Sequence, residues 1–308
     1  MNSAEPSWDL YRSFLAVLRR GSLSAAARDL GLTQPTLARH VDSLEAATGS
    51  QLFIRSPRGL LPSEAALALR PFAETLAATA AALLRTASGL GEGVRGTVRV
   101  SASEVVGVEV LPPILAALRA AWPDLEIELV LSNAVEDLTR RDADVAVRMV
   151  EPAQAALVAR RIGQAPLGLY AHRRYLDRCG TPRDLAELAG HSLIGFDRPT
   201  PAIAALAARV PGFDRVRFAL RADSDVAQLA ALRAGFGIGG CQVPLAGRNA
   251  DLVRVLPQEF DLALGIWVVM HEALRATSRC RAVVDALAAG LRSYLDEIPA
   301  SPGAVTSG

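Results

Sequence analysis

Lysine is missing altogether: every one of the 33 basic side chains other than histidine is an arginine. Alanine is abundant beside it, so this is a compositional bias of the source, and no arginine gains weight from its type alone. Net charge is scarce too, at +1, which excludes a strong global field toward nucleic acid or an anionic surface. Three cysteines, Cys179, Cys241 and Cys280, are too few and too scattered for a disulfide framework. Reduced thiols in a cytosolic protein fit them best, with a redox-sensing pair as the alternative. His40, His172, His191 and His271 lack metal-ligand spacing, and no G-x-S-x-G elbow is present. Gly235, Gly237, Gly239 and Gly240 follow a helical pattern and lead into a strand, the reverse of the order a dinucleotide phosphate site needs. A hydrolase or dehydrogenase therefore has no visible machinery, and neither cofactor nor metal is expected. No run of about 18 apolar residues free of charge suggests a membrane span. The first fifteen residues carry acidic side chains and no apolar core, so no secretory leader is expected and the cytoplasm is the expected location.

What is present suits ordinary globular folding. Apolar residues make up 51% and charged residues 21% of 308, enough for two or three folding units with cores of their own. The stretch Gly21 to Leu44 holds two short helical patterns. Leu23, Ala26, Ala27 and Leu30 fall on one helix face that Gly31 ends by adopting positive φ. Thr33 is placed to cap the next helix, Pro35 is tolerated in its first turn, and Leu37, Val41 and Leu44 repeat the buried face. This is the pattern of a helix-turn-helix. Gln34, Thr36, Arg39 and His40 remain outside; glutamine can read an adenine edge and arginine can grip phosphate or guanine. Ser24, Thr33 and Pro35 complete this candidate DNA face.

Trp8, Tyr11, Phe14, Leu15 and Leu18 recur at helical spacing and supply a first helix. Residues 49–63 predict a two-stranded wing turning at Pro57-Arg58-Gly59, with Arg55 and Arg58 at its rim over the DNA backbone or minor groove. Over the first 62 residues seven arginines face five carboxylates. So small an excess points to dimers or higher assemblies that multiply the phosphate contacts.

From Ser63, an N-cap by residue type, a long helix is predicted. Leu69, Ala73, Leu76, Ala80, Leu83, Ala87 and Leu90 form a heptad seam on it, read as a dimerisation surface; packing on its own chain is the alternative. Pro71 should kink this helix or shift its start. The glycines of residues 88–96 mark a linker. Beyond it the period changes: strands at 97–101, 125–131 and 144–148, with a helix over 105–121, give a βαβ rhythm. A second unit of the same kind has strands at 167–171, 192–196 and 216–220, helices around Leu185 and Ala205 and over 226–234, a late strand at 264–270 and a final helix at 280–295. The fold class is α/β overall.

The order of helix, AAARDLGLTQPTLARHVDSLEAATGSQLFIRSPRG, SEAA, long helix, glycine linker, VRVSAS and LPPILAALRAAWP resembles the LysR-type transcriptional regulators over nearly the whole chain, with DVAVR and AGFGIGG adding later support. Ala38 stands where that family has a phosphate-bonding serine, and Pro62 and Ala66 replace a Leu and a Gly. The resemblance implies a winged helix-turn-helix over 1–62, a linker helix over 63–92, and an effector domain over 93–300 similar to periplasmic binding proteins. Its lobe I covers about 97–163 and 267–296 and its lobe II about 165–265, with crossovers near Gly163 to Pro166 and Gly265 to Trp267; residues 301–308 are expected to be a disordered tail. Ligands of open α/β sheets bind beyond the carboxyl ends of strands. Those ends are Ser101-Ala102-Ser103, Ser132-Asn133, Arg148 and Phe196-Asp197-Arg198, and Ser103 is the first choice for an anion, a plain N-cap being the equal alternative. The implied partners are double-stranded DNA, a small-molecule effector with anionic character, a second copy of the chain as a dimer and as a dimer of dimers, and RNA polymerase. A ligand-binding module without DNA binding and an enzyme of another class remain the alternatives.

Overall fold

The computed structural model describes residues 5–57, 59–88, 93–133, 143–152, 157–199, 201–210, 217–260 and 262–297. The chain forms two compact units, the first running to Leu84 and the second starting at Arg85. Arg58, Leu90, residue 216 and the 301–308 tail lie outside the described residues.

In the first unit, α1 (Trp8–Arg20), α2 (Leu23–Leu30) and α3 (Gln34–Thr48) are followed by β1 (Phe53–Ser56), β2 (Gly59–Pro62) and α4 (Glu64–Ser88). The helix ends are set by the residues the sequence singles out. Gly31 has φ of +65°, and the Thr33 hydroxyl accepts from the Thr36 amide. Ser63 caps α4 by accepting from the Ala66 amide. Phe14, Leu15, Val17, Ala26, Ala27, Leu37, Val41, Leu44, Leu52 and Phe53 form one core, which Ala66 and Ala73 of α4 join. Two contacts fix the wing. One carboxylate oxygen of Glu45 accepts from the Leu52 and Phe53 amides, at 2.6 and 3.2 Å. At the other end the Leu60 amide donates to the Gly21 carbonyl, and a Cβ on Gly59 would stand 2.5 Å from that oxygen, so the approach admits only glycine.

The long helix differs from the expectation in two ways. It starts at Glu64 and continues through Pro71, so the proline leaves its start unshifted; the Thr75 hydroxyl bonds the Pro71 carbonyl instead. The seam divides: Ala73 is buried and Leu69 packs against the unit's own core, whereas Leu76 and Leu83, one heptad apart, are 45% and 64% exposed. Residues Glu64–Arg85 are also long and apolar enough, by length and composition, to cross a membrane, with the paired Arg70 and Glu74 inside them. The sequence expectation concerned runs free of charge, and Arg70 and Glu74 interrupt this one.

The second unit contains β3 (Gly96–Ala102), α5 (Glu104–Glu109), α6 (Leu111–Ala121), β4 (Leu125–Leu131), β5 (Val145–Arg148), β6 (Leu157–His172), α7 (Arg173–Cys179), β7 (Leu193–Gly195), α8 (Pro201–Ala207), β8 (Phe218–Arg221), α9 (Asp225–Arg233), β9 (Ile238–Gln242), α10 (Val243–Gly247), β10 (Leu252–Val255), β11 (Leu262–His271) and α11 (Ser278–Asp296). Among the described residues the sheet runs β4-β3-β5-β11-β6-β9-β7-β8, with β10 pairing β6. The expected helix over 105–121 breaks at Val110, ahead of Pro112 and Pro113, which lack the N–H needed to continue an uninterrupted ladder. The expected helix around Leu185 is a 3-10 turn at Glu187–Gly190, while α7 and β10 escaped the sequence reading.

Two strands cross between the lobes. β11 pairs β5 through Trp267–Met270 and β6 along its whole length, with a register shift between Ile266 and Trp267. β6 in turn pairs β9 and β10 through Leu167–His172. At the edge of this unit the side chains of Arg85 and Asp144, both nearly buried, form a two-pronged ion pair at 2.9 and 3.2 Å. Asp144 also accepts from the Arg99 amide, and Arg279 donates to the Arg85 carbonyl.

Glu45→Ala should lower the stability of the winged unit by about 1–3 kcal/mol, because two amides beside buried Leu52 and Phe53 lose their acceptor. Denaturant melts of wild type and variant measure it, and equal midpoints would remove Glu45 from the account of the wing.

Candidate functional site

Two regions gather the predicted residues. The first is the outer surface of α3 and the wing. Leu37, Val41 and Leu44 turn inward, and that leaves Gln34, Pro35 and Arg39 exposed, with Thr36 half-buried. The side chains there are partly engaged with one another. The Ser24 hydroxyl donates to Gln34 Oε1 at 2.9 Å, and the Thr33 and Thr36 hydroxyls lie 2.8 Å apart. His40 is held from behind, its Nδ1 2.8 Å from the buried Ser13 hydroxyl, so its ring is anchored in the domain at that nitrogen. Arg20 is bound to Asp29. Arg39 and Arg55 are exposed and form no ion pair among the described residues, which leaves two guanidinium groups available to phosphate or base.

The second region is the junction of the lobes. Ser101 and Ala102 are fully buried at the end of β3, and the Ser101 hydroxyl accepts from both terminal nitrogens of Arg148 at 3.2 Å. Ser103 occupies the N-cap position of α5 with extended backbone, yet its side chain makes no cap bond. Phe196 follows β7 half-buried, and Arg198 is exposed with Asp197 and Asp223 each 3.8 Å away. Asn133 does more than sit at the end of β4. Its Oδ1 accepts from the Glu104 amide at 3.0 Å, and its Nδ2 donates to Asp225 Oδ1 at 3.1 Å.

Asn133 thus belongs to a set of bonds between lobe I and lobe II that the sequence did not reveal. The Ser224 hydroxyl donates to the Glu104 carboxylate, and Arg233 makes a bidentate pair with Glu109 at 2.7 and 2.8 Å. The Arg233 hydrogen bonds hold the Glu109 carboxyl below its ordinary range against the opposing effect of burial. The Asp225 carboxyl moves the other way: burial raises it, and the Glu104 charge adds to the rise while the Asn133 bond opposes it. S-D at 224–225 is a readable cap signal, but nothing in it announces a neighbour 120 residues away.

The crossovers themselves border a cavity of about 360 Å³ lined by Met149, Glu151, Arg161, Gln164, Gly265 and Trp267. The Arg161 guanidinium lies 5.9 Å from the Trp267 ring centroid, within cation–π range. None of the sequence-predicted effector residues lines this cavity, although Met149 directly follows Arg148. The cysteines are free thiols; burial pushes Cys241 up to about 12 and Cys280 up to about 11, which keeps both protonated and unreactive near neutrality, and Cys179 is exposed. Among the described residues no group of three or more His, Cys, Asp or Glu is placed to hold a metal ion.

Comparison with known proteins bears on both regions. The pattern described as a bacterial regulatory helix-turn-helix protein of the lysR family matches residues 8–67, and the LysR substrate binding domain matches residues 91–292. A probable HTH-type transcriptional regulator, LtrA, of Klebsiella pneumoniae is 27% identical over 285 residues, 89% of this chain and 91% of that protein. An HTH-type transcriptional regulator of Xanthomonas campestris is 30% identical over 183 residues, 59% of this chain, and that match spans about half, 53%, of the relative's length. Among solved structures, CrgA, a LysR-type regulator from Neisseria meningitidis, shares the fold at a TM-score of 0.58 and 24% identity, covering 96% of this chain and 100% of that one. Full-length CbnR complexed with its target DNA shares it at 0.66 and 22%, covering 92% and 99%.

Asp225→Asn should alter the pH dependence of stability. A carboxyl raised in the folded state favours folding below the usual carboxylate range, and that contribution is lost as pH climbs through the raised value. Wild type should therefore lose ground to the variant as pH rises above about 4, the unperturbed carboxyl value. Thermal melts from that value upward check it; a difference independent of pH would show that burial of this carboxyl has no energetic weight.

Proposed function

Because the chain belongs to the LysR family of bacterial transcriptional regulators, we propose that it binds specific DNA sites through α3 and the wing and answers to a small molecule held between its two lobes. The observation that carries this is the exposed pair Arg39 and Arg55, free of ion pairs among the described residues, on the two elements a winged helix-turn-helix presents to a duplex. Gln34 and Thr36 read base edges, Arg39 and the wing arginines Arg55 and Arg58 grip phosphates, and Pro35 sets the start of the reading helix. His40 supports the helix from inside. CbnR, whose fold is shared, has been seen bound to its target DNA, which supports the same use of the domain here.

The effector occupies the space beyond Ser101 to Ser103, Asn133, Arg148 and Phe196, next to the hinge cavity. Arg148 favours an anionic group, and Glu104 and Asp225 confine that group to the Arg148 side. Leu76, Ala80, Leu83 and Ala87 remain the seam for a second copy of the chain, since exposed leucines a heptad apart suit a partner helix and Ala66 and Ala73 already tie α4 to the soluble core of its own unit. We assign α4 to that pairing and not to a bilayer, place the protein in the cytoplasm with its DNA, and assign it no catalytic step. An effector that binds one lobe arrangement better than another shifts the placement of the paired reading helices.

Footprinting on DNA beside its own gene should show dyad-symmetric, salt-sensitive protection. Arg39→Ala should weaken all sites alike and reduce the slope of log affinity against log salt by about 1, as loss of one phosphate contact requires. Unchanged affinity and slope would move the DNA contact off α3.

A further inference from the structure

The side chains that start the reading helix are bonded across the turn before any DNA arrives. Ser24 is the second residue of α2 and Gln34 the first of α3, and the Ser24 hydroxyl donates to Gln34 Oε1 over 2.9 Å, both side chains exposed. Neither is occupied as a helix cap. Ser22 caps α2 by accepting from the Ala25 amide, and Thr33 caps α3 by accepting from the Thr36 amide. The Ser24–Gln34 bond is therefore additional to what the two helix ends require.

Its chemical effect follows from the amide. A free glutamine side chain rotates about three single bonds and turns its carboxamide either way, so it offers a base edge a carbonyl or an amino group. In the observed arrangement Oε1 accepts from Ser24 and the Nε2 hydrogens are left outward. Major-groove edges differ in where they place donors and acceptors, so a glutamine held one way round discriminates between bases, whereas a freely turning one adapts to several. Holding the side chain beforehand also removes part of the ordering cost of binding.

We propose that Ser24 is a specificity-determining positioning residue: it contacts neither base nor phosphate, and it sets which end of the Gln34 carboxamide faces the major groove. This revises the expectation of Ser24 as a direct DNA contact, and it rests on the reading that Gln34 meets a base edge.

The test uses the full chain as wild type, Ser24→Ala, Gln34→Ala, the double variant and Ser24→Thr, titrated against operator duplexes carrying each of the four base pairs at the position where Gln34→Ala relaxes preference. Wild type should prefer its best base by about tenfold, the scale of one good side-chain–base pairing. Ser24→Ala should reduce that preference to about the level of Gln34→Ala with an unchanged salt slope. The double variant should match Gln34→Ala, and Ser24→Thr, which keeps the hydroxyl, should restore the wild-type preference. A Ser24→Ala preference equal to wild type overturns the proposal. So does a Ser24→Ala loss that adds to that of Gln34→Ala or lowers the salt slope, because Ser24 would then touch the DNA itself. If Gln34→Ala binds with every preference intact, the assignment of Gln34 to a base edge fails first and takes this inference with it.

Discussion

The effector unit depends on one antiparallel strand pair, β6 against β11, because each strand is shared by both lobes. The second half of β11 is bonded to β5 and the second half of β6 to β9 and β10, so neither lobe has a complete sheet without this ribbon. Ile266 and Val268 turn toward the main core and Trp267 toward the opposite face, as strand alternation requires. The register shift between Ile266 and Trp267 falls where the ribbon passes from one lobe to the other, and a local irregularity there bends a strand pair without breaking it. The Glu104–Ser224, Asn133–Asp225 and Glu109–Arg233 bonds then tie the lobes through α5 and α9. The two lobes are thus joined by a shared ribbon with a set of side-chain bonds beside it.

The winged unit uses the same economy of means. Its three helices share a core built from one face each, and the wing is tied to α3 by a single carboxylate, Glu45, and to the α1–α2 junction by one backbone bond at Gly21. α3 and the wing are thus held in fixed relation by the Glu45 carboxylate and the Gly21 carbonyl. Among the described residues Arg39 and Arg55 are in no ion pair, while Arg20 is bound to Asp29.

The local features were legible in the sequence because their causes are local. Gly31, Thr33 and Ser63 act within a few residues of themselves, and Leu37, Val41 and Leu44 repeat at a helical period, so α2, α3, the wing and α4 follow from spacing. The residues that family resemblance gives as crossovers, 163–166 and 265–267, lie in β6 and β11. What failed has non-local causes. Leu69 and Ala73 look like dimer residues until α4 is folded against its own unit, and period alone does not say which partner a seam meets. The bonds of Asn133 could not be read because its partners, the Glu104 amide and Asp225, are 29 and 92 residues away. The hinge cavity draws on residues from three separate strand ends and crossovers, so no segment of the chain displays it.

The ion pair of Arg85 with Asp144 relocates the point at which the effector unit can stand alone. The glycine-rich run after Ser88 is the natural place to divide the chain by composition, and a fragment beginning there would retain every strand of the sheet. It would also keep a buried Asp144 carboxylate deprived of its guanidinium, and an uncompensated buried charge costs far more than a severed loop. Folding autonomy therefore begins inside the last turns of α4, ahead of the glycine-rich run that is conspicuous in the sequence.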